Sequence, residues 1–344
     1  MRLIEKVWFS GHNAKWLLVP LLFPLTLLFW LLSSLRRQAY KWQLLKASCS
    51  GIPVIVVGNI GVGGNGKTPL VIHLIQICQQ LGLRPGVISR GYGGKLQARQ
   101  TYPLTLNQYT PVEQTGDEPF LIYHRCNVPV VVGPERISSA KQLKSLGCDI
   151  VIADDGLQHY KLKRDCEIIV VDGKRGFGNG LLLPAGPLRE GQWRLSSVQH
   201  VVLNGDNKLA IDVKHQKMNL QACEIVNIST GERCHVDEFI HSHPRVNAAA
   251  GIGDPSRFFN TLRDNAFITE QVKAFVDHHH FVEKDFQSFK DDLPLLMTEK
   301  DAVKCKAFAS ANWWYLAVIA NFSESDNQAF VDTITDIKNV KKDS

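Results

Sequence analysis

Hydrophobic and polar positions change rhythm along this chain. Residues 16–32 read WLLVPLLFPLTLLFWLL, an apolar run without a charge, preceded by Lys15 and followed by Arg36 and Arg37. From Pro53 onward, short continuous apolar runs alternate with amphipathic stretches of helical period. The runs at 53–59, 86–90, 129–133, 149–155, 166–173 and 200–205 predict strands buried on both faces, as in a parallel sheet covered by helices. Residues 69–81 and 136–146 predict helices between them; Pro69 is tolerated in a first turn, where no amide donor is required. The segment 208–232 alternates polar and apolar residues and predicts hairpin strands. Beyond it, strand, glycine-rich turn and helix recur: VNAAAGIGDPSRFF, then KAFV, PLLMTEKDAVK and WWYLAVIA.

The expected fold class is therefore α/β, in two units. At 344 residues the chain exceeds one comfortable core. The reading divides it into an apolar N-terminal helix (1–36), a nucleotide-binding unit with a parallel sheet (37–208) and a smaller α/β unit (209–344), with the boundary between 204 and 214. The net charge of +6 sits wholly in the first fifty residues, where Arg2, Lys6, Lys15, Arg36, Arg37, Lys41 and Lys46 face one acid, Glu5. A neutral body with a basic, greasy head points to an anionic membrane surface and away from nucleic acid. The apolar run sits at the short edge of a span, which takes ~20 residues. Pro20 and Pro24 would kink a spanning helix. These features favour a monotopic helix in one leaflet over a true span or a core helix. The eight scattered cysteines form no C-x-x-C pair and fit buried thiols in a reducing compartment.

The chemistry begins at GNIGVGGNGKTP. Gly61-x4-Gly66-Lys67-Thr68 follows a strand and precedes a helix, the pattern of a phosphate-binding loop. Gly61, Gly63, Gly64, Asn65 and Gly66 would bring backbone amides to the phosphates. Lys67 would reach the β- and γ-phosphates, and Thr68 would ligate Mg²⁺. Asp154 and Asp155 end an apolar strand, where P-loop proteins hold the metal shell. Asp117 and Glu118 in TGDEPFLI read first as acids of a helical first turn, with a proton acceptor as the alternative. The triplet His278-His279-His280 lacks the ligand spacing of a zinc site. Arg90, Tyr92, Arg136, Gln158, His159, Arg189 and Glu190 sit at strand ends or glycine-rich turns, where an arginine can neutralise a transferring phosphoryl group. No Asn-Lys-x-Asp run is present: Asn207-Lys208 continues as Leu-Ala, and Thr298–Asp301 reads TEKD. ATP is therefore expected over GTP.

In their order, GNIGVGGNGKTP, ISRGYGG, TGDEP, DDGLQH, PAGPLRE, AAAGIGDPSRFF, DHH and TEKDAVK resemble the tetraacyldisaccharide 4'-kinase family of Gram-negative bacteria, over residues 10–305. The resemblance implies transfer of the γ-phosphoryl group of ATP, with Mg²⁺, to the 4'-hydroxyl of an acylated glucosamine disaccharide 1-phosphate. The product would be lipid IVA, made at the cytoplasmic face of the inner membrane. It implies that Asp117 is the base, paired with a histidine of the DHH motif, assigned to His278 ahead of its two neighbours. It also implies that Lys67 and Thr68 bind phosphate and magnesium and that Asp154 and Asp155 hold metal. Arg136, Arg189 and Glu190 would belong to the nucleotide site, and Tyr92 and His159 would face the acceptor. The family fold is a P-loop domain joined by a hairpin to a smaller α/β domain. No obligate protein partner is expected.

Overall fold

A computed structural model describes residues 3–94, 101–205, 211–290 and 292–340. The chain opens with helices α1 (Leu3–Phe9) and α2 (Lys15–Lys41). The first half of the body then runs β1 (Val54–Gly58), α3 (Lys67–Gln80), β2 (Pro85–Ser89), β3 (Leu104–Thr105), α4 (Val112–Thr115) and α5 (Asp117–Cys126). It continues through β4 (Val130–Val132), α6 (Arg136–Ser145), β5 (Ile150–Asp154), β6 (Cys166–Asp172) and β7 (His200–Asn204). The second half comprises β8 (Gln216–Asn227), β9 (Arg233–His235), α7 (Val236–Ser242), β10 (Arg245–Ala250), α8 (Pro255–Asp264) and β11 (Ile268–Ala274). It ends with β12 (Leu295–Thr298), α9 (Glu299–Cys305), β13 (Trp313–Asn321) and α10 (Glu324–Val340). The apolar runs thus form the strands expected of them.

All these strands join one mixed sheet, ordered β11-β10-β12-β13-β8-β7-β6-β1-β5-β2-β4-β3, with β9 paired to β8. The two units expected from sequence are joined through a shared strand. Residues Gln216–Met218 of β8 run parallel to β7, and the rest of β8 runs antiparallel to β13. The expected hairpin is β8 with β9, paired antiparallel from Glu224–His235 to Val226–Arg233. The boundary proposed at 208/209 lies outside the described residues.

Continuous apolar strands demand cover on both faces. In the first half, α3 and α5 cover one face through Leu70, Leu74, Ile75 and Ile122. The buried positions of α3 recur at helical period, which fixes the face it turns to the sheet. On the other face lie α6 and the 157–195 segment, through Leu143, Leu157, Leu162 and Leu188. The last helix does not stay with the second half. α10 returns to the first, where Phe330 and Ile334 enter the same core as α3. Phe330 packs edge-on to Phe322 and against the rings of His73 and His200.

α2 runs unbroken through Pro20 and Pro24. It is long and apolar enough to cross a membrane, and only 6% of its most apolar window is buried. One side docks on the body. Thr26 Oγ1 accepts from Ala185 N at 3.0 Å, Trp8 of α1 donates to Pro184 O, and Arg37 stacks 3.8 Å over Trp193. Trp16, Leu17, Leu21, Leu28 and Trp30 face outward.

Phe330 is buried to 1% exposure and ties the end of the chain to the first core. Phe330→Ala is expected to cost about 3–5 kcal/mol by the transfer and cavity terms. Equilibrium urea unfolding would read this as a lower midpoint at unchanged slope.

Candidate active site

The carboxyl ends of β1, β5, β6 and β7 lie along one sheet edge, the place where open parallel sheets bind ligands. After β1 the chain turns through Gly61–Gly66 into α3. Gly63 and Gly66 have φ of +107° and +86°, which L side chains rarely adopt. A Cβ on Gly66 would stand 2.3 Å from Asn204 Nδ2, so only glycine fits there. Asn204, at the end of β7, donates to Asn65 O at 3.0 Å and pins the loop. The other edge of the loop is held by the PAGPLRE segment: Val62 N donates to Pro187 O, and Arg189 N to Ile60 O. Lys67 Nζ reaches Asn59 Oδ1 at 3.3 Å and Asp155 Oδ1 at 3.4 Å. Thr68 follows at the open N-terminus of α3, where backbone dipoles favour a phosphate.

Asp154 ends β5, in register with Val57 of β1. Its Oδ1 and that of Asp155 are buried and make no hydrogen bond, although the Lys67 ammonium stands close to Asp155. Burial lifts the Asp154 carboxyl to about 7; Lys67 opposes the rise and the Asp155 charge adds to it. Asp155 is held below the usual carboxylate range, because Lys67 and Arg189 outweigh the effect of its burial. Arg189 Nη1 donates to Asp155 Oδ2 at 3.1 Å. Two oxygens without hydrogen-bond donors, beside a phosphate loop and a threonine, suit a hard cation with oxygen ligands. Among the described residues no group of three or more His, Cys, Asp or Glu side chains could hold a metal ion.

Across the cleft stands a second charged cluster. Asp117 opens α5 as a first-turn acid and is 9% exposed. His278 Nδ1 lies 3.1 Å from its Oδ2. An ionised carboxylate only accepts, so Nδ1 carries the proton. Asp117 is thus a helical first-turn acid, and its carboxylate also pairs with a histidine. Burial pushes the Asp117 carboxyl up, but the His278 hydrogen bond and the Lys304 and Lys300 charges outweigh it and hold it low. The Asp117 hydrogen bond raises His278 against the opposing effects of burial and Lys300. The triplet is sorted by geometry. His279 turns to Asp285 at 2.9 Å and packs on Phe275 and Phe281, while His278 faces Asp117. The His278 backbone sits at φ +58°, with its N–H held by Asp277 Oδ1. Lys300 Nζ pairs with Glu118 at 2.7 Å and lies 3.4 Å from His278 Nε2.

The two clusters border one cavity of about 2430 Å³, walled by Gly63–Thr68, Asp154, Asp155, Arg189, His278 and Lys300 and closed toward the N-terminus by Trp8, Phe29, Trp30, Arg36 and Arg37. Its two halves are tied together at the floor. Arg257 Nη2 donates to both oxygens of buried Asp172 at 3.0 Å, Lys174 pairs with Asp254 at 3.0 Å, and Arg175 donates to Gly253 O.

The expected site residues divide on inspection. Tyr92 lies on the cleft wall, its ring 5.9 Å from that of His278. Arg189 is on the wall beside Asp155. Glu190 also borders the cavity, but its carboxylate already accepts from Gln158, Tyr160 and Arg194. It organises the wall and has little capacity left for nucleotide. Arg136, expected at the nucleotide, is buried behind the wall and donates to Gly133 O and Asp154 O, bracing the strand end. His159, expected at the acceptor, lies behind the described cleft wall near Arg136 and Glu135. Burial first, then the Arg136 charge, lowers its imidazole to about 4. Sequence reasoning missed Lys300, Lys304, Arg175 and Asn204. The two lysines stand four apart in TEKDAVK, a spacing that puts both on one helix face.

A phosphate loop, an acid pair at the end of the next strand and a carboxylate–imidazole pair facing them define a P-loop phosphotransferase. Comparison with known proteins gives the particular family. The sequence model described as LpxK, tetraacyldisaccharide-1-P 4'-kinase, matches residues 18–337. The chain is 57% identical over 335 residues to the tetraacyldisaccharide 4'-kinase of Colwellia psychrerythraea, covering 96% of this chain and 97% of that one. It is 47% identical over 335 residues to that of Vibrio cholerae serotype O1, covering 97% of each. A crystal structure of LpxK from Aquifex aeolicus in complex with ATP superposes with a TM-score of 0.77 at 27% identity, over 93% of this chain and 99% of that one. This chain belongs to the tetraacyldisaccharide 4'-kinase family.

The Asp117–His278 pair has a pH signature. The lowered Asp117 contributes stability above the ordinary carboxylate value and loses it as pH falls through its depressed value. The raised His278 contributes below the ordinary imidazole value and loses it as pH rises through its elevated value. The pair therefore stabilises most between about pH 4 and 6.5. His278→Ala should lower the melting temperature most near pH 5, and the deficit should shrink above pH 7. A scanning-fluorimetry series across pH would show a constant deficit if the pair carried no charge linkage.

Proposed function

We propose that this chain transfers the γ-phosphoryl group of ATP to the 4'-hydroxyl of tetraacyldisaccharide 1-phosphate, giving lipid IVA in lipid A biosynthesis. The observation that carries the reading is that one cavity is walled by a phosphate loop and, facing it, by His278, whose ring is paired with the buried Asp117 carboxylate. A switch or motor that delivers phosphate to water would use the loop and the acid-ended strand alone. Family membership supports the same acceptor.

The residues divide the work. Backbone amides of Gly63–Thr68 and the α3 N-terminus bind the phosphates, and Lys67 neutralises the β- and γ-oxygens. Thr68, Asp154 and Asp155 would hold Mg²⁺, which supplies charge neutralisation at the bridging oxygens. Arg189 keeps Asp155 in place and adds positive charge near the transferring group. Asp117 Oδ1 accepts the proton of the 4'-hydroxyl as its oxygen bonds to the γ-phosphorus. The bond to the β–γ bridging oxygen breaks, and ADP leaves. His278 orients the carboxylate through Oδ2. A hydroxyl becomes acidic only late in such a transfer, so alignment and charge contribute more than base strength. Tyr92 lines the acceptor side. Arg136 and Glu190 support this site from behind, through Asp154 and the Gln158–Tyr160–Arg194 cluster.

The membrane supplies the acceptor. α2 presents Leu17, Leu21 and Leu28 outward, at 72%, 67% and 52% exposure. Its docked side meets Leu182 and Trp193, which also border the cavity. On this reading the helix lies in the cytoplasmic leaflet of the inner membrane, with Arg36 and Arg37 at head-group level beside the cleft mouth. The acyl chains stay in lipid while the sugar enters the cavity.

Two measurements test these assignments. With γ-labelled ATP, Mg²⁺ and tetraacyldisaccharide 1-phosphate in mild detergent, label should pass to a more polar lipid. Lys67→Ala should abolish transfer, and Asp117→Asn should cut kcat by roughly 10²–10⁴ while ATP still binds. Label released only as inorganic phosphate would return the chain to the ATPase class. Separately, a Leu17→Glu/Leu21→Glu/Leu28→Glu variant should lose co-sedimentation with anionic vesicles while its fold persists. Undiminished sedimentation would assign membrane contact to another surface.

A further inference from the structure

Lys304 has no part in the chemistry described so far, yet its position is costly. Its side chain is 8% exposed, and Nζ is buried without an aligned hydrogen bond. An ammonium taken out of water this way is unfavourable unless neighbouring charge compensates it. Nζ lies 3.0 Å from Asp301 Oδ1, 3.6 Å from Asp117 Oδ2 and 4.8 Å from the centre of the Phe281 ring. Asp301, itself fully buried, spends its other oxygen on Gly251 N and Thr298 Oγ1. Asp301 therefore fixes the lysine from behind. In front of the lysine stands Asp117, which belongs to the other half of the molecule.

Asp117 is thus approached from the second half by two groups on one oxygen. His278 Nδ1 stands 3.1 Å from Oδ2, and Lys304 Nζ lies 3.6 Å from the same oxygen. We propose that Lys304 is a positioning residue for the phosphoryl transfer: from α9 its ammonium grips Asp117 Oδ2 beside His278, leaving Oδ1 to the acceptor hydroxyl and tying the carboxylate's alignment to contact between the two halves. The inference rests on Asp117 being the base.

The other charges facing Asp117 do not duplicate this role. Lys300 on α9 is engaged by Glu118 of α5 at 2.7 Å and Asp277 at 3.6 Å. Against its burial, the His278 hydrogen bond, with the Lys304 and Lys300 charges, holds the Asp117 carboxyl low.

The test is the pH profile of kcat at saturating ATP in detergent micelles. Lys304→Met should move the acid limb upward by about one pH unit, so that kcat falls roughly tenfold well below the limb. The KM for ATP should stay within about twofold, because no phosphate contact is touched. Lys304→Arg, which keeps the charge, should restore the limb. In an Asp117→Asn background, Lys304→Met should add no further loss, since residues acting through one another are not additive. Lys304→Gln keeps a donor toward Asp301 and carries the same test if the methionine variant is unstable. An unmoved acid limb, or an additive loss in the Asp117→Asn background, would overturn the proposal. Those outcomes leave the base assignment standing if Asp117→Asn alone abolishes turnover. Full turnover by Asp117→Asn would sink the base assignment first.

Discussion

The parallel register of β1 with β5 and β6 is the constraint on which the rest depends. Val57 stands beside Asp154 on one side and Ile168 on the other. β6 and β7 continue the alignment, with Asp172 beside Asn204. Four strands thus end at one edge, and each end carries a polar group used there. Gly58 leads into the phosphate loop, Asp154 and Asp155 face it, Asn204 pins it, and Asp172 holds Arg257 of the second half. A slip of one residue would turn Asp154 to the opposite face and bury an apolar side chain where the charge is wanted. The apolar faces forbid that slip. Fully buried Val56, Ile152, Ile169 and Val202 hold the strands in place. Hydrophobic burial here sets the distance between charges that would otherwise repel.

Each wall holds one residue against its backbone preference. His278 and Asp155 both occupy the left-handed region, at φ +58° and +51°. Such positions cost of order 1–3 kcal/mol each and persist where surrounding contacts over-determine them. Asp277 takes the His278 N–H, and Asp117 takes its ring. Lys67 and Arg189 hold the Asp155 carboxylate from two sides. The strain is local, and its compensation comes from the facing half in one case and the phosphate loop in the other. Both sites therefore depend on partners distant in sequence.

That dependence decides what was legible in the sequence. The phosphate loop, the helix after it and the acid-ended strand were readable, because strand period and glycine placement are local signals. The apolar N-terminal helix was equally plain, though its unbroken course through Pro20 and Pro24 was not. Asp117 read first as a helix-start acid, and so it is; its second role needed His278, 161 residues away. Arg136 and Glu190 carry the charges of ligand contacts, but hydrogen bonds to backbone and to Gln158, Tyr160 and Arg194 occupy them. Residue type alone cannot tell a spent side chain from a free one. The continuity of the sheet was hidden for a similar reason. β8 serves two neighbours of opposite direction along its length, and alternation in one strand does not name its partners.

The sheet continuity bears on how transfer to a lipid avoids transfer to water. A P-loop held by one half and an acceptor base held partly by the other would each be incomplete if the halves moved independently. Here β8 runs through both, and Arg257–Asp172, Lys174–Asp254 and Arg175–Gly253 close the floor of the cavity. The contacts at Asp117 are a further set between the two halves. On the proposed reading, opening the cleft would separate His278 from Asp117 and leave the phosphate loop intact. Nucleotide binding and acceptor activation are then physically separable, and the base would be aligned only when the rim is closed. On that reading a cleft with the base assembled last would expose the γ-phosphate to water for the shortest part of the cycle. On the same reading, α2 docks beside the cavity at Leu182 and Trp193, so that the acceptor would enter from the side of the apolar helix.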